Sequence, residues 1–182
     1  MRHGGNVWEG QPADWLDFSA NLRPEGTPAW VMNTMRAALS QARYYPDRAM
    51  RAARAGLALY LGVDENCVLP TAGGAAAIDL TLGVRRGAMH VQQPTFGEYA
   101  ERAKAHGRRM AANQAIQADD TVVVCNPNNP TGTLLSPNDV LQMHRDVRNS
   151  GGELIVDEAF IDYCTDATVR HHVQDGLTVV GS

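Results

Sequence analysis

From Gly62 onward, short apolar runs alternate with amphipathic segments, and this alternation restricts the fold more than any other feature of the chain. The apolar runs predict strands, and the longer segments between them predict helices. Strands that alternate with helices through short loops build an α/β fold: a doubly wound, mainly parallel sheet with helices on both faces. The predicted strands are 67–70, 89–92, 109–112, 121–125, 154–157 and 177–180, and the predicted helices are 74–85, 96–106 and 137–149.

The first part of the chain has a different character. Up to about Pro28 it is rich in Gly, Pro and Asn, and it is typical of an irregular arm. Two helices, 28–39 and 48–61, are predicted after this arm. The apolar face predicted for the first helix consists of Val31, Met35, Ala38 and Leu39. The residues predicted to face inward on the second are Met50, Ala53, Leu57, Tyr60 and Leu61. The predicted organisation is therefore an N-terminal arm, 1–28, followed by an incomplete α/β domain, 29–182.

Two helix starts carry recognisable capping signals. Thr95 and Glu98 have the spacing of a capping box at the start of helix 96–106, and Gly107 is a typical stop after its end. Ser136 is the predicted N-cap of helix 137–149, with Pro137 in the first helical position. These signals predict where both helices begin.

Composition excludes several classes of protein. The 182 residues are 44% hydrophobic and 20% charged, with a net charge of −4, so no basic field draws the chain to nucleic acid. No apolar run approaches the ~20 residues that a membrane helix needs, so no membrane partner is expected. The three cysteines are far apart, which favours a reducing cytoplasm over a disulfide framework. His171 and His172 are adjacent on a polar segment, and we expect them to be solvated rather than to bind a metal.

Four motifs follow predicted strands, which is where doubly wound sheets bind ligands. The first, TAGGAAA at 71–77, lies between a strand and a helix. Its glycines would let backbone N–H groups approach a phosphate, although a tight turn with close packing explains the same pattern. The second, PTFGEY at 94–99, places Phe96 just past a strand, where it could stack on a flat ring or join the core.

The third motif, NPNNPTG at 126–132, has seven constrained residues where a turn needs four, so it predicts a defined site with fixed amide side chains. The fourth, DEAF at 157–160, ends an apolar strand. Burying a carboxylate there costs free energy unless another group pairs with it. Asp157 is therefore a candidate to bind a cation, a metal or a protonated heterocycle. Glu158 is adjacent, and its side chain is expected to point away.

Together the four motifs resemble fold-type I pyridoxal-phosphate enzymes, the aspartate aminotransferase superfamily. The segments HGGN at 3–6, DFSANL at 17–22 and YPD at 45–47 are most similar to the branch that holds threonine-phosphate decarboxylase and histidinol-phosphate aminotransferase. The resemblance spans nearly the whole chain. It implies the large domain of a pyridoxal-phosphate transferase, with pyridoxal 5'-phosphate as the cofactor.

The resemblance also implies roles for matching residues. Gly74 and Ala75 would give backbone N–H groups to the cofactor phosphate, and Phe96 would stack on the pyridine ring. Asn129 would hydrogen-bond the 3-oxygen of the cofactor and lie near the substrate carboxylate. Asp157 would pair with the pyridine nitrogen, which favours the protonated ring and makes it a better electron sink.

Further contacts are implied outside these motifs. Ser182 would touch the cofactor phosphate, and Tyr45 would reach the phosphate of the neighbouring subunit, which implies a homodimer. His3, Gly4 and Asn21 would line the substrate pocket, together with Asn129. The implied substrate is a phosphorylated amino acid.

Two departures from the family pattern bear on the reaction. Phe160 stands where the aminotransferases have a tyrosine, which removes one hydrogen bond to the 3-oxygen and favours the decarboxylase-like relatives. Ala75 and Ala76 replace more polar residues, so phosphate binding would depend on backbone groups.

The lysine that forms a Schiff base with the cofactor is expected three residues past Ser182, and the chain ends first. The only lysine, Lys104, lies in a predicted helix on a polar face and cannot replace it. No catalytic residue is therefore predicted within this chain. We expect an N-terminal fragment that lacks the C-terminal small domain and is inactive alone.

Three functions remain open. The first is L-threonine O-3-phosphate decarboxylase of cobalamin biosynthesis, a pyridoxal-phosphate-dependent lyase. The second is histidinol-phosphate aminotransferase or a related class I/II aminotransferase. The third belongs to another class: a non-catalytic α/β binding module that keeps the cofactor-site loops.

Overall fold

The computed structural model describes residues 4–5, 17–111 and 114–181. The chain divides into two compact units, Met1–Arg48 and Ala49–Ser182. The first unit holds helix α1, Ala29–Ala38, which continues into a short 3-10 turn at Leu39–Gln41. No residue of α1 is buried, so the apolar face predicted there is not packed: Met35 and Leu39 are 59% and 70% exposed.

The second unit is built on a parallel four-stranded sheet. Its strands are β1, Met89–Val91; β2, Thr121–Cys125; β3, Glu153–Asp157; and β4, Thr178–Val180. They lie in the order β1-β2-β3-β4, and every neighbouring pair is parallel. The predicted doubly wound, mainly parallel α/β fold is confirmed.

The described residues of this unit form four α-helices: α2, Arg51–Leu61; α3, Gly74–Val84; α4, Glu98–Ala105; and α5, Pro137–Asn149. Because strand side chains alternate between faces, the sheet contributes to two apolar clusters. On one face Val123 and Ile155 pack with residues of α3 and α4. On the other, Leu154 and Val156 pack with Val140 of α5. Helices therefore cover both faces, as predicted.

Some predicted elements do not form. Residues 68–70 are not a strand, because no described strand pairs with the segment; a 3-10 turn, Glu65–Cys67, precedes it. Of the predicted strand 109–112, residues 109–111 form one isolated parallel bridge, between Met89 and Met110, and Ala112 lies outside the described residues. The inward face predicted for α2 is also wrong, since Ala58 is its buried residue and Tyr60 is 65% exposed.

One capping prediction is confirmed and one is wrong. Ser136 caps α5, accepting a hydrogen bond from the backbone N–H of Asp139 at 3.2 Å. The capping box at Thr95 and Glu98 does not form. Helix α4 starts after Gly97 without a side-chain cap, because the Thr95 hydroxyl bonds a neighbouring loop instead.

A buried arginine stabilises the amino-terminal edge of the sheet. Arg108 is 6% exposed, and its guanidinium donates to the carbonyls of Leu82, Gly87 and Ala88 and to the Thr121 hydroxyl, at 2.8–3.1 Å. These bonds join the end of α3 to the starts of β1 and β2. No helix in the described part of the chain is long and apolar enough to cross a membrane.

Candidate functional site

The carboxyl ends of the strands meet at one edge of the sheet, because all neighbouring strands are parallel. The loops that follow β1, β2 and β3 carry the PTFGEY, NPNNPTG and DEAF motifs. The register places Cys125 opposite Asp157, and Asp157 opposite Val180. The three motifs therefore lie along a common edge, as the fold predicts.

Asp157 is the charged group at the centre of this edge. It is 4% exposed, and each carboxylate oxygen has one donor: Tyr99 O–H at 2.6 Å on Oδ2 and Ala159 N–H at 2.9 Å on Oδ1. Burial raises the pKa of Asp157 above its ordinary value, although the hydrogen bonds from Tyr99 and Ala159 act in the opposite direction. Among the described residues, no arginine, lysine or histidine pairs with this carboxylate.

Phe96 and Asp157 are brought together through Tyr99. The rings of Phe96 and Tyr99 meet edge to face, with centroids 5.7 Å apart and planes at 84°. Phe96 is half-buried, so part of its ring remains accessible. Tyr99 is 1% exposed, and burial together with the Asp157 charge raises the pKa of its phenol.

The NPNNPTG loop is held by its first and third residues. Asn126 is fully buried; its side chain accepts from Leu135 N–H and donates to the Leu135 carbonyl. Asn128 donates to the Pro94 carbonyl at 3.0 Å and accepts from Thr95 at 2.8 Å. These bonds connect the loops that follow β1 and β2.

Asn129 directly follows Asn128 in this loop. Its backbone N–H bonds the Cys125 thiol, and its side chain is half-buried. No described residue hydrogen-bonds the Asn129 side-chain amide, which leaves both its donor and its acceptor open to a ligand.

The start of α3 offers backbone donors. Gly73 precedes the helix with φ of 82°, and no side chain caps it. The first N–H groups of a helix have no partner within the helix, so those of Gly74 and Ala75 can bind an anion. Gly74 is half-buried and Ala75 is exposed.

Glu158, which was predicted to point away from Asp157, lines a cavity with Gly73 and with Val180 at the end of β4, and its carboxylate bonds a different segment from the donors of Asp157. It is 4% exposed, and its carboxylate accepts from Val169 N–H and from the Thr168 hydroxyl, both at 2.7 Å. It therefore stabilises the segment after β3 and does not share the environment of Asp157.

The remaining predicted residues belong to the first unit or lie outside the described part of the chain. In the first unit, Tyr45 and Asn21 are exposed, and Gly4 packs so closely on Ser19 that a Cβ would lie 1.8 Å from its carbonyl oxygen. His3 and Ser182 lie outside the described residues. No group of His, Cys, Asp and Glu in the described part of the chain could hold a metal ion.

Tyr99 was not among the residues predicted for the site, although it belongs to the PTFGEY motif. The available signal was helical spacing: Tyr99 follows Phe96 by three residues, so the two side chains share one side of a helical turn. The structural roles of Asn126 and Asn128 were likewise not predicted individually, because their partners lie in other segments.

Comparisons with known proteins identify the family of the chain. The sequence model of the family described as aminotransferase class I and II matches residues 13–182. Threonine-phosphate decarboxylase of Sinorhizobium sp is 35% identical over 183 residues, which cover 93% of this chain and 54% of the relative. Histidinol-phosphate aminotransferase 1 of Pasteurella multocida is 31% identical over 142 residues, covering 69% of this chain and 40% of the relative.

A solved structure shows the same fold. The histidinol-phosphate aminotransferase from Clostridium acetobutylicum superposes with a TM-score of 0.80 at 22% identity, covering 92% of this chain and 55% of that one. The chain thus spans about half the length of the relatives it matches. It belongs to the class I and II aminotransferase family, whose enzymes depend on pyridoxal 5'-phosphate.

Proposed function

We propose that this chain forms the cofactor-binding part of a pyridoxal-phosphate-dependent enzyme that acts on a phosphorylated amino acid. The observation that carries the proposal is Asp157, a carboxylate 4% exposed at the end of a central strand, with no cationic partner among the described residues. A buried charge of this kind calls for a counterion. A protonated pyridine nitrogen would supply that positive charge.

Other residues of the predicted site would hold the rest of the cofactor. The uncapped start of α3 would hold the phosphate through the N–H groups of Gly74 and Ala75, without help from a basic side chain. The exposed part of the Phe96 ring would cover the pyridine ring. Asn129, with its amide unoccupied by described residues, would hold the 3-oxygen.

When bound, the cofactor supplies an electron sink for the pair released as one bond at the substrate Cα breaks. Asp157 keeps the ring nitrogen protonated, since a neighbouring negative charge favours the charged form of the ring. Phe96 excludes water from the ring face, and Asn129 orients the substrate carboxylate. The choice of bond depends on how the substrate is oriented.

Decarboxylation of L-threonine O-3-phosphate, the lyase reaction that serves cobalamin biosynthesis, is the first candidate. The 35% identity to the Sinorhizobium decarboxylase supports it, and so does Phe160, which cannot donate the hydrogen bond that a tyrosine would give. Gly4 and Asn21 would line the substrate side of the site, with His3. The 31% identity to the Pasteurella aminotransferase favours transamination of histidinol phosphate as the second candidate.

The proposal includes a homodimer, in which Tyr45 reaches the partner's cofactor, and a phosphate contact from Ser182. The unpaired Cys67, Cys125 and Cys164 support a cytoplasmic location. We expect the 182-residue chain to bind the cofactor without turnover. Its only lysine, Lys104, is exposed on α4, whereas Asp157 is buried.

Cofactor binding is tested by titrating the chain with pyridoxal 5'-phosphate. Equilibrium dialysis measures the bound fraction, and absorbance reports the change in the cofactor spectrum. We expect saturable binding that Asp157→Asn weakens at least tenfold, because the neutral amide cannot balance a pyridinium charge. Asp166→Asn, which removes an exposed carboxylate, is the matched control. Equal binding by both variants would contradict the proposal and favour a binding module of another kind.

The reaction is tested on a form extended past Ser182 by the coding sequence that follows. A Thr-Lys or Ser-Lys pair at the expected position supports the enzyme, and a stop codon supports the non-catalytic module. Threonine phosphate alone, and histidinol phosphate with 2-oxoglutarate, are then assayed in parallel. Carbon dioxide release without a keto acid identifies the decarboxylase.

A further inference from the structure

The Tyr99 hydroxyl lies at a junction between two predicted cofactor contacts. It donates to Asp157 Oδ2 at 2.6 Å, and its ring meets the Phe96 ring edge to face. Tyr99 itself is 1% exposed, so it cannot lie against a ligand as Phe96 can. Its position allows it to act on a ligand only through its two neighbours.

We propose that Tyr99 is the positioning residue of this site: its hydroxyl fixes the orientation of the Asp157 carboxylate while its ring fixes Phe96. The inference rests on the proposed function, because it takes the ligand between Phe96 and Asp157 to be the pyridine ring of the cofactor. It adds a residue to that site.

The hydrogen bonds of Asp157 explain why a second element is needed. The Ala159 N–H that bonds Oδ1 belongs to the same strand end, two residues along the chain. Tyr99 comes from α4, which packs on the sheet, so its bond to Oδ2 ties the carboxylate to a separate element. Each oxygen retains accepting capacity after these bonds, and the pyridine N–H needs one such acceptor.

The hydrogen bond from Tyr99 also affects the protonation state of Asp157. Burial alone favours the neutral acid, which would be a poor acceptor for a pyridinium N–H. The Tyr99 O–H donates to the ionised form and so favours the carboxylate. The other described groups that face this pair are the Ala159 N–H and the Cys125 thiol of β2, which interacts with the Tyr99 hydroxyl.

The test compares Tyr99→Phe with Tyr163→Phe, a control whose ring is 90% exposed. The Asp157 carboxyl is titrated by carbon-13 NMR in the cofactor-free chain, its resonance assigned by its loss in Asp157→Asn. We expect Tyr99→Phe to raise the pKa of Asp157 and to weaken binding of pyridoxal 5'-phosphate about tenfold, the effect of one charge-assisted hydrogen bond. The control should change neither measurement.

A second measurement covers the case in which Tyr99→Phe does not fold. Replacing tyrosine by 3-fluorotyrosine makes the phenol a stronger donor while keeping its shape. If Tyr99 holds Asp157, the pKa of Asp157 falls in the fluorinated chain. An unchanged titration there contradicts the inference.

The outcomes separate the two proposals. If Tyr99→Phe leaves both the Asp157 titration and cofactor affinity unchanged, the positioning role is wrong and the proposed function stands. If the unsubstituted chain does not bind pyridoxal 5'-phosphate, the proposed function fails, and the positioning role for the cofactor fails with it. The titration still reports in that case whether the Tyr99 hydroxyl holds Asp157.

Discussion

The Thr95 hydroxyl donates a hydrogen bond to the Asn128 side-chain oxygen at 2.8 Å, which ties the loop before Phe96 to the loop that holds Asn129. The Asn128 amide nitrogen adds a bond to the Pro94 carbonyl and one to the Thr131 hydroxyl. One side chain therefore fixes the distance between two proposed cofactor contacts.

Replacing this side chain should weaken the site. We expect Asn128→Ala to reduce affinity for pyridoxal 5'-phosphate about tenfold, because the loops then reach their bound arrangement less often. Equilibrium dialysis measures the effect. Asn138→Ala, at an exposed position on α5, is the control. Equal affinities for the two variants would show that the loops hold their arrangement without Asn128.

Arg108 should be required for stability rather than for binding. Arg108→Met leaves the carbonyls of Leu82, Gly87 and Ala88 without this donor, so we expect a loss of about 2–4 kcal/mol in the free energy of unfolding. Urea denaturation measures it. The control is Arg109→Met, at the neighbouring exposed position, and it should cost less than about 1 kcal/mol. A similar loss in both variants would contradict the role assigned to the buried guanidinium.

Alanine substitutions at two glycines test whether the backbone before α3 requires a glycine. An added Cβ would meet no atom within 4 Å at either Gly73 or Gly56, but Gly73 has φ of 82° and Gly56 lies inside α2. We expect Gly73→Ala to cost about 1–2 kcal/mol and to weaken cofactor binding. Gly56→Ala should stabilise by about 0.5–1 kcal/mol. Thermal unfolding measures the stability of each variant, and equilibrium dialysis measures its affinity for the cofactor. Equal melting temperatures for the two variants would contradict the requirement for glycine at position 73.

The ionisation of Asp120 should make the free energy of unfolding depend on pH. Burial opposes ionisation, but hydrogen bonds from the His90 ring, Gln117 N–H and Ala88 N–H lower the pKa of Asp120 below its ordinary value of 3.8. The unfolded chain therefore takes up the proton first. The stabilisation is complete above that value and disappears as the pH falls through the lower folded pKa.

The corresponding variant is Asp120→Asn. We expect it to be less stable than the original chain by about 2 kcal/mol at pH 7, with the difference shrinking toward pH 2. Urea denaturation between pH 2 and pH 7 measures the trend, and Asp166→Asn serves as the exposed control. A difference that does not change with pH would argue against the lowered pKa.

Local sequence patterns were enough to predict most of the sheet and its helices. Strands β2 and β3 are strongly apolar, and α5 has an N-cap whose partner lies three residues away, so these signals need no information from elsewhere in the chain. Residues 68–70 have a similar apolar pattern without a strand, because a strand requires a neighbour and the pattern of one segment does not reveal one.

The candidate site shows the same limit. The cost of burying Asp157 was predictable from the apolar strand before it, but the identity of its donor was not, because Tyr99 lies 58 residues away along the chain. The capping prediction for Thr95 was wrong for a similar reason. Its spacing to Glu98 satisfies the capping-box pattern, yet its hydroxyl bonds Asn128, a tertiary partner that competes with the helix end.

The strands follow one another across the sheet in the order in which they occur along the chain. Among the described strands, each new strand therefore adds to an edge that already exists. Such an arrangement lets the sheet extend in step with synthesis on the ribosome, where amino-terminal segments emerge first. Mutations in β1 or β2 should then impair folding during translation more than equally destabilising mutations in β4.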